Sequence, residues 1–163
     1  MTRIIAECSD GIEIEDFFCF ADLEVAKDLR PRQHGIWDLR GPGLGQRIAT
    51  GPNAIIVCAE PDSRVYVRYE RWDGHPSVDP TWEELWTGSL FFASGRVCGV
   101  SSVEGEVSYY SDFDLEREMT LWNTRVCSKF VDNDQESSFP RHIYRINLFT
   151  LQFWVPEDGS SSD

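Results

Sequence analysis

Carboxylates are the side chains in this sequence whose number and spacing could do chemistry. Glu104, Glu106, Asp112, Asp114, Glu116 and Glu118 fall within fifteen positions that hold a single base, Arg117. Glu13 and Glu15 form a second pair, and Asp132, Asp134 and Glu136 a third group. Two carboxylates that face each other across a cleft can cleave a glycoside, one as acid and one as base or nucleophile. Carboxylates strung along a surface do something else. They mimic the charge spacing of a phosphate backbone and draw in a basic protein. Glu13, Glu15, Glu104, Glu106, Asp112, Asp114 and Glu116 are therefore the candidate partner-binding residues. The competing explanation is a solvated acidic surface that serves solubility.

Other chemistries find little support. His34, His75 and His142 are far apart, without the close pairing that lets two imidazoles face one ion, so no metal site is expected. Gly41, Gly43 and Gly45 spell G-P-G-L-G, but the run ends in Gln46-Arg47 instead of the Lys-Ser/Thr that a phosphate loop needs. There is no G-x-S-x-G nucleophile elbow. Cys8, Cys19, Cys58, Cys98 and Cys127 are odd in number and never spaced C-x-x-C, which predicts reduced thiols; Cys58, Cys98 and Cys127 should be free and largely inaccessible. The expectation is a protein that is not an enzyme and takes no cofactor. Six Trp keep a small-ligand or carbohydrate-binding role as the alternative, although Trp82, Trp86, Trp122 and Trp154 all fall in core-like patterns.

Strands must position these residues. Ile12-Glu13-Ile14-Glu15 alternates strictly, so a strand there sends both Glu to the face opposite both Ile. Residues 54–59 are continuously apolar and read as a central strand buried on both faces. Val65, Val67 and Tyr69 alternate with Arg64, Arg68 and Glu70, the pattern of a strand with one wet face. Asp79-Pro80-Thr81-Trp82-Glu83-Glu84 reads as the start of a short helix near residues 80–86, with Asp79 as cap and Pro80 in the first turn. Ala93-Ser94-Gly95-Arg96 between two apolar runs predicts a hairpin. Residues 106–110, 119–130 and 142–154 are further strands. In the last, Tyr144, Ile146 and Leu148 share one parity and Phe149, Leu151 and Phe153 the other, so a bulge near 148–149 is predicted.

The resulting expectation is an all-β fold: an antiparallel β-sandwich, jelly-roll-like, with one short helix near residues 80–86. It fills residues 1–156 as a single domain, followed by a flexible tail over 157–163. Val65, Val67, Ile55, Val57, Phe91 and Phe149 should be mostly buried. A closed barrel is the structural alternative. Residues 30–52 and 131–140 read as loops.

The chain of 163 residues can bury an adequate core without staples. Its 15 Lys and Arg against 28 Asp and Glu leave a formal charge of −13, which argues against direct binding of nucleic acid or an anionic membrane. A basic protein partner fits instead. The N-terminal residues lack the apolar core of a signal peptide, so a cytoplasmic location is expected.

The order of features also resembles a known group. Trp37 precedes a Gly-rich stretch, then Ala49-Thr50-Gly51-Pro52-Asn53-Ala54-Ile55-Ile56 enters a strand. Val65-Tyr66-Val67-Arg68-Tyr69-Glu70, Ser94-Gly95-Arg96-Val97, Phe113-Asp114-Leu115-Glu116 and Phe153-Trp154-Val155-Pro156 follow in turn. This is similar to the competence protein J (ComJ) group and to ComJ-like actinobacterial proteins, the latter most closely over residues 64–105. The resemblance implies an inhibitor of a nuclease, or an immunity-type protein that blocks a toxin. An acidic protein suits that role, because a nuclease presents a basic groove for phosphates.

Overall fold

The computed structural model describes residues 1–27, 40–133, 136 and 138–157. Residues 30–39 of the loop over 30–52, with His34 and Trp37, Asp134 and nearly all of the C-terminal tail lie outside the described residues. In chain order the elements are β1 (Ile4–Ile12), β2 (Phe17–Asp22), α1 (Leu23–Ala26), β3 (Ile48–Thr50), β4 (Ala54–Cys58) and β5 (Arg64–Trp72). Then come β6 (Glu83–Phe92), β7 (Arg96–Val103), β8 (Glu106–Asp114), β9 (Thr120–Asp132), a 3-10 turn (Arg141–Ile143) and β10 (Arg145–Trp154).

The strands form two five-stranded sheets, ordered β1-β5-β10-β9-β6 and β3-β4-β2-β7-β8. The fold is thus an all-β sandwich. Every pairing is antiparallel except β5 with β10, which run parallel. The core lies between the inner faces. β5 sends Val65, Val67 and Tyr69 inward, and β10 sends Phe149, Leu151 and Phe153. Phe18 meets Phe149 edge-on at 5.1 Å, while Phe20 and Phe92 pack edge-on around Phe153. Each buried ring stabilises the sandwich by about 2–3 kcal/mol through area removed from water.

β4 is buried on both sides, as its apolar run demands. Ile55 and Val57 face the core, whereas Ala54 and Ile56 join a second cluster with Cys19, Ala21, Cys98 and Val100 under α1. Two Cys of this cluster follow the same logic, and burial pushes the Cys19 thiol up to about 12. All five cysteines are free; Cys98 and Cys127 are buried and Cys58 is half-buried.

Five local expectations are corrected. Residues 80–86 are not helical. The Asp79 carboxylate accepts the Thr81 N–H at 2.9 Å and the Thr81 hydroxyl at 2.7 Å, closing a single turn, and β6 begins at Glu83. Pairing along β9 outweighs the helix-start signals, and a register shift between Glu84 and Trp86 gives Leu85 and Trp86 their helix-like partial burial. The short helix is α1, where Asp22 accepts the N–H of Glu24 and of Val25. The segment 93–96 is no hairpin: β6 and β7 belong to different sheets, so this turn carries the chain across the core. Gly95 takes φ +69° there, and a Cβ would sit 2.7 Å from the Arg117 carbonyl oxygen. β10 has no bulge. Its register with β9 is unbroken, and both of its faces are covered, with Thr150, Gln152 and Trp154 buried on the outer side. Finally, β1 ends at Ile12, so Glu13 and Glu15 lie in the connection that crosses from one sheet to the other. Phe91 is half-buried, and its neighbour Phe92 is the core residue.

Candidate functional site

β8 is an edge strand of the second sheet, and β1 is an edge strand of the first. Side chains lash the two edges together. The Asp10 carboxylate accepts the Ser111 N–H at 2.9 Å and the Ser111 hydroxyl at 3.1 Å. The Tyr110 hydroxyl accepts the Glu13 N–H at 3.1 Å and lies 3.0 Å from the Ser101 hydroxyl. These bonds fix the end of β1 and the start of the β1–β2 connection against β8, the strand that follows the β7–β8 turn.

That turn is the two-residue loop Glu104-Gly105, with φ of +51° and +81°. Two positive φ values in a two-residue hairpin suit the twist of the flanking strands, and Gly or Asn normally supplies them. A glutamate in the left-handed region costs about 1 kcal/mol. Asp62, Glu116 and Met119 share a positive φ. Two of these backbones are held by another acid: Asp114 accepts the Glu116 N–H at 2.8 Å from two residues away, and Glu15 accepts the Glu104 N–H at 2.6 Å from a different connection.

The arrangement gathers Glu13, Glu15, Glu104 and Glu106 at one corner of the sandwich, all exposed. Glu13, Glu104 and Glu106 line a groove of about 260 Å³ with Val103 and Ser108. Among the described residues, no Lys or Arg pairs with any of the four. Next to this corner, Gly11, Ile12, Glu13, Tyr66, Val103 and His142 border a wider depression of about 510 Å³.

The remaining candidates stand apart. Asp112 and Asp114 lie at the far end of β8, roughly 20 and 26 Å from Glu106 at the usual rise per residue. Both are exposed, and both pair with Arg96, at 3.2 and 3.3 Å. Glu116 pairs with Arg71 at 2.6 Å. Exposed pairs of this kind add little stability, but they cancel charge locally. Sequence spacing alone joined these acids to Glu104 and Glu106. The Arg96 pairing comes from the β7–β8 register, in which Arg96 stands opposite Asp114.

A second concentration of polar groups escaped the sequence reading. On the outer face of the first sheet, Glu70, Arg125, Thr150 and Gln152 are all buried. They floor a cleft of about 240 Å³ that Trp72 and Trp82 also line. Glu70 and Arg125 sit at outward strand positions that composition marks as wet. The available signal was the interruption of apolar strands by long polar side chains beside Trp72 and Trp82. His75 is an exposed loop residue whose ring meets Trp154 edge-on at 5.0 Å, and His142 lies in the 3-10 turn. Among the described residues, no helix is long and apolar enough to cross a membrane.

No protein-family model and no curated protein matches the chain. Two solved structures resemble it. One is the crystal structure of ComJ from Bacillus subtilis, an inhibitor of the DNA-degrading activity of NucA, with 11% identity and a TM-score of 0.52, covering 96% of this chain and 99% of that one. The other is the product of crocagin biosynthetic gene J, with 13% identity, a TM-score of 0.41 and the same coverage. The ComJ likeness is distant and extends over nearly the whole chain at the level of the fold.

Proposed function

We propose that this chain is a non-enzymatic inhibitor or immunity-type protein that binds a basic nuclease or toxin through its acidic corner. One observation carries the reading. Glu13, Glu15, Glu104 and Glu106 converge from two different connections, and no Lys or Arg among the described residues forms an ion pair with them. Acids spread for solubility alone have no need of a glutamate in a strained turn position clasped by a second glutamate. Strain of about 1–3 kcal/mol persists at sites where it serves a purpose. The ComJ-like fold supports the same reading, because ComJ inhibits a nuclease. Asp112, Asp114 and Glu116 would extend the surface along β8 as weaker contacts, since each already has an arginine partner. Such a protein acts where its target is held in check before release, which fits a cytoplasmic site of action.

The test measures association with NucA-type basic nucleases and their DNA degradation, at two ionic strengths. Reversal of Glu13, Glu15, Glu104 and Glu106 to Lys should slow association about tenfold or more and relieve inhibition. Reversal of Asp112 and Asp114 should act several-fold less. Wild-type association should slow as salt rises, because screening shortens the reach of the field to about 8 Å at physiological ionic strength. Association that ignores both salt and the fourfold reversal would assign the acidity to solubility. The buried polar cleft on the opposite sheet favours the alternative, a small-ligand-binding sandwich.

A further inference from the structure

The cleft on the first sheet is built from a polar row that crosses three strands. Arg125 on β9 stands opposite Gln152 on β10, and Gln152 stands beside Glu70 on the parallel neighbour β5. Arg125 Nε donates to Gln152 Oε1 at 2.7 Å, and Gln152 Nε2 donates to Glu70 Oε2 at 2.9 Å. Trp72 Nε1 donates to the same Glu70 oxygen at 2.9 Å, and Arg68 Nε donates to the other at 2.7 Å. The β5–β6 connection passes over this row as a strap. Arg125 Nη2 ties it down by donating to the carbonyls of Pro76 and Ser77, at 3.2 and 2.9 Å.

The accounts of this row do not balance between donors and acceptors. Both Glu70 oxygens and Gln152 Oε1 are occupied. Arg125 is only 4% exposed, and its Nη1 donates no hydrogen bond to the protein among the described residues, although it is not sealed from solvent as the unpartnered buried atoms elsewhere are. Nor does any carboxylate there form an ion pair with it. A buried guanidinium without a counter-charge is costly, and burial of its partner anion would recover that cost. The floor of the cleft therefore offers one guanidinium donor that the protein leaves free, and a carboxylate is its best acceptor.

The rim has the opposite need. Asp79 and Glu84 line the mouth and are exposed, while the nearby cations are already engaged, Arg68 with Glu70 and Lys129 with the Thr81 hydroxyl over the Trp82 ring. Hydrogen bonds from the Thr81 side chain and backbone hold the Asp79 carboxyl below the usual range, so it stays anionic. A simple anion would be repelled there. A molecule with a carboxylate at one end and an ammonium close by satisfies floor and rim together. Trp72, Trp82 and Val78 supply an apolar wall for its body. At about 240 Å³ the cleft is smaller than one for a drug-sized ligand.

We propose that this cleft binds a free α-amino acid with an apolar side chain, carboxylate toward Arg125 and ammonium toward Asp79 and Glu84. This proposal does not rest on the inhibitor reading, since the acidic corner takes no part in it.

The full-length protein is titrated with L-leucine while tryptophan fluorescence and the saturation-transfer NMR signal of the amino acid are followed. Binding should saturate. 4-Methylpentanoate, which lacks the amine, and 3-methylbutylamine, which lacks the carboxylate, should each bind about tenfold more weakly or worse, having lost one charge-assisted contact. Arg125→Gln should abolish binding. Arg125 also anchors the strap, so Asp79→Asn provides the second variant, on an exposed side chain whose turn bonds asparagine preserves. It should weaken L-leucine several-fold toward the affinity of 4-methylpentanoate, Glu84 retaining part of the ammonium contact, and leave 4-methylpentanoate itself no weaker. No saturable binding of L-leucine, L-methionine or L-phenylalanine up to about 50 mM would overturn the proposal, since that limit is weaker than a −2 kcal/mol interaction. Equal binding of L-leucine and 4-methylpentanoate by the wild type would overturn it too.

Discussion

Tyr69 is completely buried between the sheets, stacked on Phe113 with ring centroids 5.8 Å apart, and its hydroxyl has no hydrogen-bond partner among the described residues. That hydroxyl fills the space above Gly99. A Cβ built on Gly99 would lie 2.6 Å from Tyr69 Oη, whereas the next neighbours, Tyr110 Cβ and Ile12 Cδ1, would be at 3.5 and 3.6 Å. The glycine is therefore required by one oxygen atom. Gly99→Ala in the wild type should cost about 1–3 kcal/mol, the usual penalty for forcing an atom into a packed core. Tyr69→Phe removes both the clash and an unsatisfied buried hydroxyl, so alone it should be neutral or stabilising by up to about 1 kcal/mol. In the Tyr69→Phe background Cβ meets only ordinary contacts. There Gly99→Ala should stabilise by about 0.4–1 kcal/mol, because the alanine chain loses less backbone freedom on folding. The coupling between the two sites is then about 2 kcal/mol, large for a pair in direct contact but within the range such pairs show.

Urea unfolding of the wild type, both single variants and the double variant, followed by tryptophan fluorescence, measures this cycle. With an m-value of about 2 kcal/mol/M, the coupling appears as a midpoint difference of about 1 M. Gly99→Ala destabilising both backgrounds equally would refute the reasoning, since the clash would then lie elsewhere. A loss of more than about 1 kcal/mol from Tyr69→Phe alone would show that the hydroxyl is satisfied, and so would also refute it.

Two further outcomes follow from buried groups. Asp22 is 1% exposed and accepts four hydrogen bonds, two from the start of α1 and two from Ser94 at the crossing between sheets; Asp22→Ala should lower unfolding stability by about 3 kcal/mol, with Asp22→Asn recovering part, as checked by the same urea assay. Burial raises the pKa of Cys19 to about 12 and that of Tyr69 well above 10, so the folded state holds these protons more tightly than the unfolded chain. Their stabilising effect is complete below pH 9 and is lost as pH rises from about 9 through 12, so melting temperature should fall steadily over that window, and more gently in Cys19→Ala; a melting temperature that stays flat through pH 12 would contradict the assignment.

Much of the sandwich was legible because inward and outward residues differ in type. Val65, Val67 and Tyr69 against Arg64 and Arg68 mark β5 without ambiguity, and the unbroken apolar run of β4 announces burial on both faces. β1 was invisible for the converse reason. It is an edge strand whose Ile4, Ile5, Glu7, Ser9 and Gly11 are exposed, so no apolar period stands out. The helix signals at Asp79 were locally correct as a turn. They lost to nine residues of pairing with β9, a contact that no local window contains. Layer crossings were equally hidden: a turn with a positive-φ glycine looks the same whether it joins paired strands or, as at Gly95, strands in opposite sheets. The bulge inferred for β10 assumed that only one face of the strand could be apolar. Trp154, Gln152 and Thr150 are instead covered on the outside.

The acidic surface shows why counting charges along a sequence is insufficient to locate a binding site. Residues 104–118 form one acidic run in the sequence, but a strand converts that run into a line roughly 25 Å or more long, and cross-strand neighbours decide what each position presents. Arg96 reaches Asp112 and Asp114 because β7 turns back along β8; Arg71 reaches Glu116 from the other sheet. The same turn that brings Arg96 back also carries Glu104 and Glu106 away from it, to the end where Glu13 and Glu15 cross between layers. Pairing therefore partitions a nearly uniform acidic segment into a quenched half and an unquenched corner. A field that steers a basic partner depends on the second, because paired charges largely cancel beyond a few ångströms while like charges from separate connections add. The most informative acids are thus those whose neighbours across the fold are also acids, and Glu15 holding the Glu104 backbone is the contact that keeps them together.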